Sequence, residues 1–283
     1  MNTEPTPNGT TLVLGGTGKT GRRVAQRLHD RGLPVRVGTR RGVPPFDWED
    51  PSTWSPAVEG TSAAYIAYYP DLAAPGAPEA VTAFAQVALE HDVRRLVLLS
   101  GRGEEEAQRA ERSLLESGAD VTIVRCAWFM QNFSEDFMRD AVMSGQIVLP
   151  GGDAREPFVD VDDIADVAVA ALTEDGHTGQ IYELTSPRLY TLSDIAAELS
   201  RVTGRTITYV PVTVEEYAAA ASDHGVPTEF VDFLAYLFGQ VFGRNAYTTD
   251  GVERALGRAP RDFTEFAHRA AASGAWALEE VAS

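Results

Sequence analysis

Lysine and cysteine are almost absent from this chain: Lys19 and Cys126 are the sole representatives among 283 residues. A lone cysteine excludes an internal disulfide, and the apolar run around Cys126 predicts a buried, inert thiol rather than a nucleophile. A lone lysine excludes any site that needs this amine away from position 19. In particular, no Tyr-x-x-x-Lys pair can be assembled, because Gly15 stands four residues before Lys19. Positive charge is scarce as well, with 24 Lys and Arg against 41 Asp and Glu and a net charge of −17. Phosphate-backbone binders carry a basic face. No basic run exists here, so the reading is no nucleic acid, no anionic membrane surface, and an acidic solvated exterior. No apolar run reaches the length of a membrane span. The five histidines stand at no metal-ligand spacing with a second His or a Cys, so no metal is expected. Residues 1–10 lack the basic start and apolar stretch of a signal peptide, which leads us to expect a cytoplasmic protein.

What is present organises itself around residues 11–21, TLVLGGTGKTG. A short apolar run enters a glycine turn, and the turn opens a helix pattern through Val24, Ala25 and Leu28. Gly15, Gly18 and Gly21 are spaced G-x-x-G-x-x-G. In such a strand–turn–helix unit the first glycine permits the tight turn. The second lets backbone approach a pyrophosphate, and the third lets helix and strand pack closely. The helix amino end then receives the phosphates. Gly18-Lys19-Thr20 also resembles the end of a nucleoside-triphosphatase phosphate loop, but that motif needs a glycine at position 13, where Val stands.

Strand patterns follow at 34–39, near 46–48, and at 62–68, 95–100 and 121–126. Helical patterns fall at 52–59, 76–92 and 104–117. The alternation predicts a doubly wound parallel sheet of α/β class. The second strand ends without the acid that NAD-selective folds place there to hold the ribose 2′-hydroxyl. Thr39, Arg40 and Arg41 stand there instead, and a guanidinium beside the ribose suits a 2′-phosphate. The reading favours NADP(H) over NAD(H), with Asp47 or Glu49 still within reach of the ribose or adenine. Strand ends on this side of a parallel sheet face the ligand crevice. Tyr68 and Tyr69 are thus candidates to line it, or to pack as rim. The helix at 104–117 carries Glu104, Glu105, Glu106, Arg109, Glu111 and Arg112, and its charge spacing predicts a solvated face.

Beyond Ala127 the pattern loosens. An aromatic, amide-rich stretch (128–133) enters a helix to about Met143. Residues 151–158 read as a loop. Asp160, Asp162 and Asp163 precede or open a helix at 164–172, where acids serve the helix start rather than a metal. A strand at 180–184, a helix capped by Thr191 or Ser193, and a short strand at 207–210 follow. The segment 230–242 carries more Phe, Leu, Val and Tyr than one helix face needs. It predicts a core helix, the floor of an apolar substrate pocket, or a contact between two copies in a homodimer. The last residues, 277–283, are expected to fray.

These residues resemble the NmrA-like family of atypical short-chain dehydrogenase/reductases, whose relatives include NADPH-dependent quinone reductases. The resemblance rests on Gly15 to Gly21, Arg40, the Tyr68-Tyr69-Pro70 strand end, TIVRCAWFMQNF (122–133) and EPFVDVDDI (156–164). It covers about residues 10–270. It implies a Rossmann-type doubly wound parallel sheet with a small, mainly helical C-terminal substrate lobe, and NADP(H) in the crevice between. We expect residues 1–155, with 156–185 returning, in the first part and 186–283 in the second. The resemblance also implies that Gly15, Thr17, Gly18, Lys19, Thr20 and Arg40 touch the cofactor phosphates, with Ser100 and the Asn132 region near the nicotinamide. Gly21, Thr39, Tyr69 and Gly101 complete the expected cofactor set.

Ordinary members of the superfamily pair a tyrosine with a lysine to move a proton to a carbonyl. Residues 103–112, where that pair would fall, hold neither. Two classes remain. One is a reductase of a quinone or similar conjugated acceptor, small and apolar or aromatic, for which positioning does most of the work. Tyr68, Ser100 and Asn132 are then the candidates to polarise the acceptor. The other is a non-catalytic NADP(H) sensor acting through a protein partner.

Overall fold

The computed structural model describes residues 9–278 except Phe137. The expected fraying of residues 279–283 and the expectation for the first eight residues lie outside the described residues. In chain order the elements are β1 (Thr10–Leu14), α1 (Lys19–Asp30), β2 (Val35–Gly38), α2 (Trp54–Val58), β3 (Thr61–Ile66), α3 (Ala77–Glu90), β4 (Arg95–Gly101), α4 (Glu105–Leu115) and β5 (Asp120–Cys126). There follow α5 (Asn132–Glu135), α6 (Arg139–Ser144), β6 (Gln146–Pro150), α7 (Val161–Thr173), β7 (Ile181–Leu184) and α8 (Leu192–Thr203). The chain closes with β8 (Thr208–Val212), α9 (Val214–Asp223), α10 (Thr228–Tyr236), α11 (Gly251–Leu256) and α12 (Phe263–Ala272). Among the described residues no helix is long and apolar enough to cross a membrane.

The chain packs as two compact units. The first comprises residues up to Cys126, Val161–Leu184 and Asp250–Arg258. It holds a six-stranded parallel sheet in the order β2-β1-β3-β4-β5-β7. Side chains alternate across a strand, so each strand of a covered parallel sheet needs apolar residues on both faces. Leu12, Leu14, Ala64, Ile66, Leu96, Leu98, Val121 and Ile123 fill one face. They pack against Val81, Phe84 and Ala85 of α3 and Ala107, Ala110 and Leu114 of α4.

The strand expected near 46–48 does not form. Pro44 and Pro45 cannot donate to a ladder, and Phe46 instead turns back, its N–H donating to the Thr39 carbonyl at 2.9 Å. Its ring joins Trp48 (4.9 Å between centroids) and Phe84 (5.8 Å) in an aromatic plug over the sheet. The next strand is therefore β3, paired directly with β1.

The second unit comprises Ala127–Asp160, Thr185–Thr249 and the residues from Ala259 onward. Residues 127–155, which the sequence reading placed with the nucleotide-binding part, thus pack with the second unit. The reason is β6, which the sequence reading left out. It pairs in parallel with β8, Gln146 opposite Thr208 through Pro150 opposite Val212. Ile147 and Leu149 turn inward to Phe158, Leu192, Ile195 and Leu199. The single helix expected to follow residues 128–133 and run to about Met143 is broken at Asp136, whose extended backbone ends α5. The helix cap at α8 is Thr191, which forms a reciprocal capping box with Asp194.

Candidate cofactor site and aromatic cluster

The glycine turn is shaped by backbone crowding. β1 ends at Leu14, Gly15 takes a positive φ of 67°, and the Gly18 N–H closes the turn on the Gly15 carbonyl at 2.9 Å. A Cβ on Gly21 would overlap that carbonyl oxygen and lie 2.7 Å from its carbon and 2.8 Å from Gly16 Cα. A Cβ on Gly16 would lie 2.6 Å from Val37 Cγ1. The first turn of α1 is thus pressed onto the strand end. Gly18 is its N-cap, and no acid stands in the first turn. The leading N–H groups of a helix have no partner within it. Here they open beside exposed Thr17 and Gly18 and half-buried Lys19, with Thr20 buried beneath. A cradle of backbone donors and one ammonium group, with no acid in the first helical turn, fits a pyrophosphate.

At the neighbouring strand end, the Thr39 carbonyl accepts from the N–H groups of Gly42 and Phe46, both at 2.9 Å, which fixes the turn after β2. Arg40 and Arg41 are exposed there and hold no ion pair among the described residues. Past β3, Tyr68 is half-buried, its ring 4.9 Å from Trp48. Burial, with the charge of Glu49, pushes its phenol above the ordinary value, so it stays protonated. Tyr69 is exposed.

The end of β4 differs from expectation. Ser100 is buried and donates to Glu111 Oε1 at 2.6 Å. Glu111 also binds Arg125 of β5 through both oxygens, and Arg125 reaches Glu183 of β7 at 2.8 Å. Glu111 is 2% exposed and Glu104 9%. The expected solvated face of α4 therefore excludes these two. One faces inward to Arg125, and the other fills the space where a Cβ on Gly101 would stand. The sequence signal for this network was Arg125, a charge inside an otherwise apolar strand. Cys126 is buried, and burial raises its thiol well above the ordinary value.

All the candidate cofactor residues, Gly15, Thr17, Gly18, Lys19, Thr20, Gly21, Thr39, Arg40, Tyr69 and Gly101, belong to the first unit. With Tyr68 and Ser100 they stand at or just beyond the carboxyl ends of its parallel strands. Asn132 belongs to the second unit, buried at the start of α5.

In the second unit the apolar segment 230–242 divides. Val231, Leu234, Phe238, Val241 and Phe242 are buried, whereas Phe230 and Tyr236 stay exposed. A π-helical turn at Leu237–Val241 ends α10. Phe238 and Phe242 meet half-buried Trp128, at 5.0 and 5.3 Å between centroids. The three aspartates near α7 pair with arginines. Asp162 meets Arg27 at 2.8 Å and Arg23 at 3.2 Å, Asp163 meets Arg258 at 2.8 Å, and Asp160 binds Arg269 and the Gln131 amide.

Residues 106–268 match the NmrA-like family, and residues 15–175 match an NAD(P)H-binding family. Agroclavine dehydrogenase of Claviceps fusiformis is 32% identical over 91% of this chain and 96% of its own. NAD(P)H azoreductase of Xenophilus azovorans is 30% identical over 93% of this chain and 99% of its own. The solved triphenylmethane reductase of Citrobacter sp., complexed with NADP(H), shares the fold with a TM-score of 0.74 at 22% identity. The match covers 93% of this chain and 99% of that one. The six-stranded parallel sheet, the NAD(P)H-binding match and relatives that are dehydrogenases and reductases define a Rossmann-type NAD(P)H-dependent oxidoreductase. The chain belongs to the NmrA-like family within that class.

Proposed function

We propose that this protein uses NADPH to reduce a quinone or a similarly conjugated small molecule by direct hydride transfer, without a Tyr-x-x-x-Lys pair. The observation that carries the reading is the donor-lined turn of residues 15–21 beside Arg40, which holds no ion pair among the described residues, in a chain whose one lysine lies in that turn. An azoreductase among the relatives supports an unsaturated acceptor.

Thr17, Gly18, Lys19, Thr20 and Gly21 hold the pyrophosphate, and Gly15 shapes the turn beneath it. Thr39 and Arg40 meet the 2′-phosphate. Tyr69 and Gly101 flank the cofactor at the ends of β3 and β4. When bound, NADPH supplies the hydride from its reduced nicotinamide. The proton of Ser100 is committed to Glu111, so Ser100 secures the strand end. Tyr68, kept protonated by burial, and Asn132 are the groups assigned to polarise the acceptor carbonyl. Trp128, Phe238 and Phe242 offer flat apolar surface to a ring.

The test is NADPH oxidation, followed by nicotinamide absorbance, with a panel of quinones and enones. Turnover on at least one acceptor is expected. Tight NADPH binding with no turnover on any acceptor overturns the reading and leaves a redox sensor. For the cofactor, Arg40→Ala is expected to weaken NADPH binding by roughly 10- to 100-fold, the range of a lost charge-assisted contact, and to leave NADH binding little changed. Equal losses for both would remove Arg40 from the 2′-phosphate.

A further inference from the structure

Two carboxyl groups meet at the sheet edge beside Gly101. Asp71 lies in the loop between β3 and α3, and Glu104 lies in the turn between β4 and α4. Glu104 is 9% exposed, and its Oε2 atom is buried without a hydrogen bond from any donor among the described residues. Its other oxygen occupies the volume that a Cβ on Gly101 would take. Asp71 faces it, with Oδ1 accepting from the Ala73 N–H at 2.8 Å. Neighbouring arginines are engaged with other acids: Arg102 with Glu183 at 3.5 Å, and Arg125 with Glu111 and Glu183.

A buried carboxylate and a half-buried one in contact do not both ionise freely, and one shared proton turns their repulsion into a hydrogen bond. We propose that Glu104 and Asp71 share one proton, and that this proton latches the β3–α3 loop to the β4–α4 turn. The latch holds Tyr68, Tyr69 and Gly101 in their cofactor-side positions. The inference rests on the assignment of those residues to the cofactor site.

The electrostatic surroundings agree. Burial first, and then the charge of Asp71, push the Glu104 carboxyl well above the usual range, with Glu111 of α4 adding to the shift. Burial raises Asp71 too. From β5, the Cys126 thiol faces the pair and adds no charge, because burial keeps it protonated. Two influences from outside the pair have the opposite sign: Arg102, in the β4–α4 turn, lowers that thiol, and the Ala73 N–H lowers Asp71. A carboxyl raised in the folded state contributes stability that is complete below its unfolded value and is lost as pH rises through its folded value. The loop is therefore held while the pair keeps its proton and released as pH rises through the folded-state value.

The experiment measures the NADPH dissociation constant of wild type, Glu104→Gln and Asp71→Asn from about pH 6 to about pH 9, where buried glutamates titrate. Either amide donates an N–H to the remaining carboxylate and carries no titrating proton. The wild-type constant is expected to rise about tenfold across the range, as for one coupled titration. Each amide variant should give a flat profile, so one suffices if the other fails to fold. Profiles that coincide with wild type overturn the latch. Two measurements without cofactor separate this from the site assignment. The wild type should show an infrared band of a protonated carboxyl at neutral pH that Glu104→Gln lacks. At about pH 9, amide exchange over residues 67–76 should be faster in wild type than in Glu104→Gln at the same pH. Absence of the band, or equal exchange, overturns the latch even if NADPH binds. Absence of NADPH binding at every pH overturns the site assignment, while band and exchange still decide the latch.

Discussion

Glu111→Ala is expected to lower unfolding free energy by about 3 kcal/mol, the low end for breaking a buried ion pair, because Arg125 keeps some solvent and a second acid. For a chain of this size that is a fall in melting temperature of about 5 °C. Glu111 is 2% exposed and receives three donors: the Ser100 hydroxyl and two guanidinium nitrogens of Arg125. Its hydrogen bond is the largest influence raising the Arg125 guanidinium above its ordinary value. Alanine leaves that cation with Glu183 as its remaining acidic partner among the described residues and leaves the Ser100 hydroxyl without its acceptor. Glu111→Gln retains one acceptor oxygen and should lose less. Urea unfolding of the two variants checks the order. An alanine variant as stable as wild type would show the network to be solvated.

Gly21→Ala is expected to weaken NADPH binding by roughly 30- to 100-fold and to destabilise the fold by about 2–3 kcal/mol, the range of overpacking. The added Cβ would overlap the Gly15 carbonyl oxygen and crowd Gly16 Cα at 2.8 Å. All of these neighbours are backbone, so relief requires the turn to open. Gly18→Ala is the informative partner. Its Cβ would lie 3.2 Å from the Gly15 oxygen, with nothing else within 4 Å. That variant should keep its melting temperature and lose cofactor affinity, because in the proposed site Gly18 faces the phosphates rather than the strand. Calorimetric titration with NADPH, paired with thermal unfolding, separates the two effects. Unchanged affinity in both variants would remove the glycine turn from the cofactor site.

The glycine turn was legible because strand, turn and helix are adjacent in sequence and each glycine answers a local demand. Strands β3, β4 and β5 were legible for the same reason: a parallel sheet covered on both faces needs unbroken apolar runs. What escaped depended on distant partners. β6 is five residues between glycines, and its pairing with β8 lies some sixty positions along the chain. The strand expected at 46–48 had suitable aromatics, but Pro44 and Pro45 turned them into a plug. Glu104 and Glu111 carry the spacing of a solvated helix face. Only Arg125, on another strand, shows that Glu111 faces inward. The apolar excess of 230–242 was visible, whereas its division into Phe238 and Phe242 inside and Phe230 and Tyr236 outside follows from how α10 and the π-helical turn after it pack.

The sheet-bearing unit is drawn from three separated stretches of chain, ending with Asp250–Arg258. On the ribosome, β5 must wait for β7 to be synthesised more than fifty residues later, its outer edge meanwhile unpaired. The last piece, α11, packs on β7 and α7 and follows β7 by more than sixty residues. Nascent chains halted before residue 250 should accordingly present an open sheet edge to chaperones. A fragment cut at residue 160 would lack β7 and so could not serve as a free-standing coenzyme-binding module.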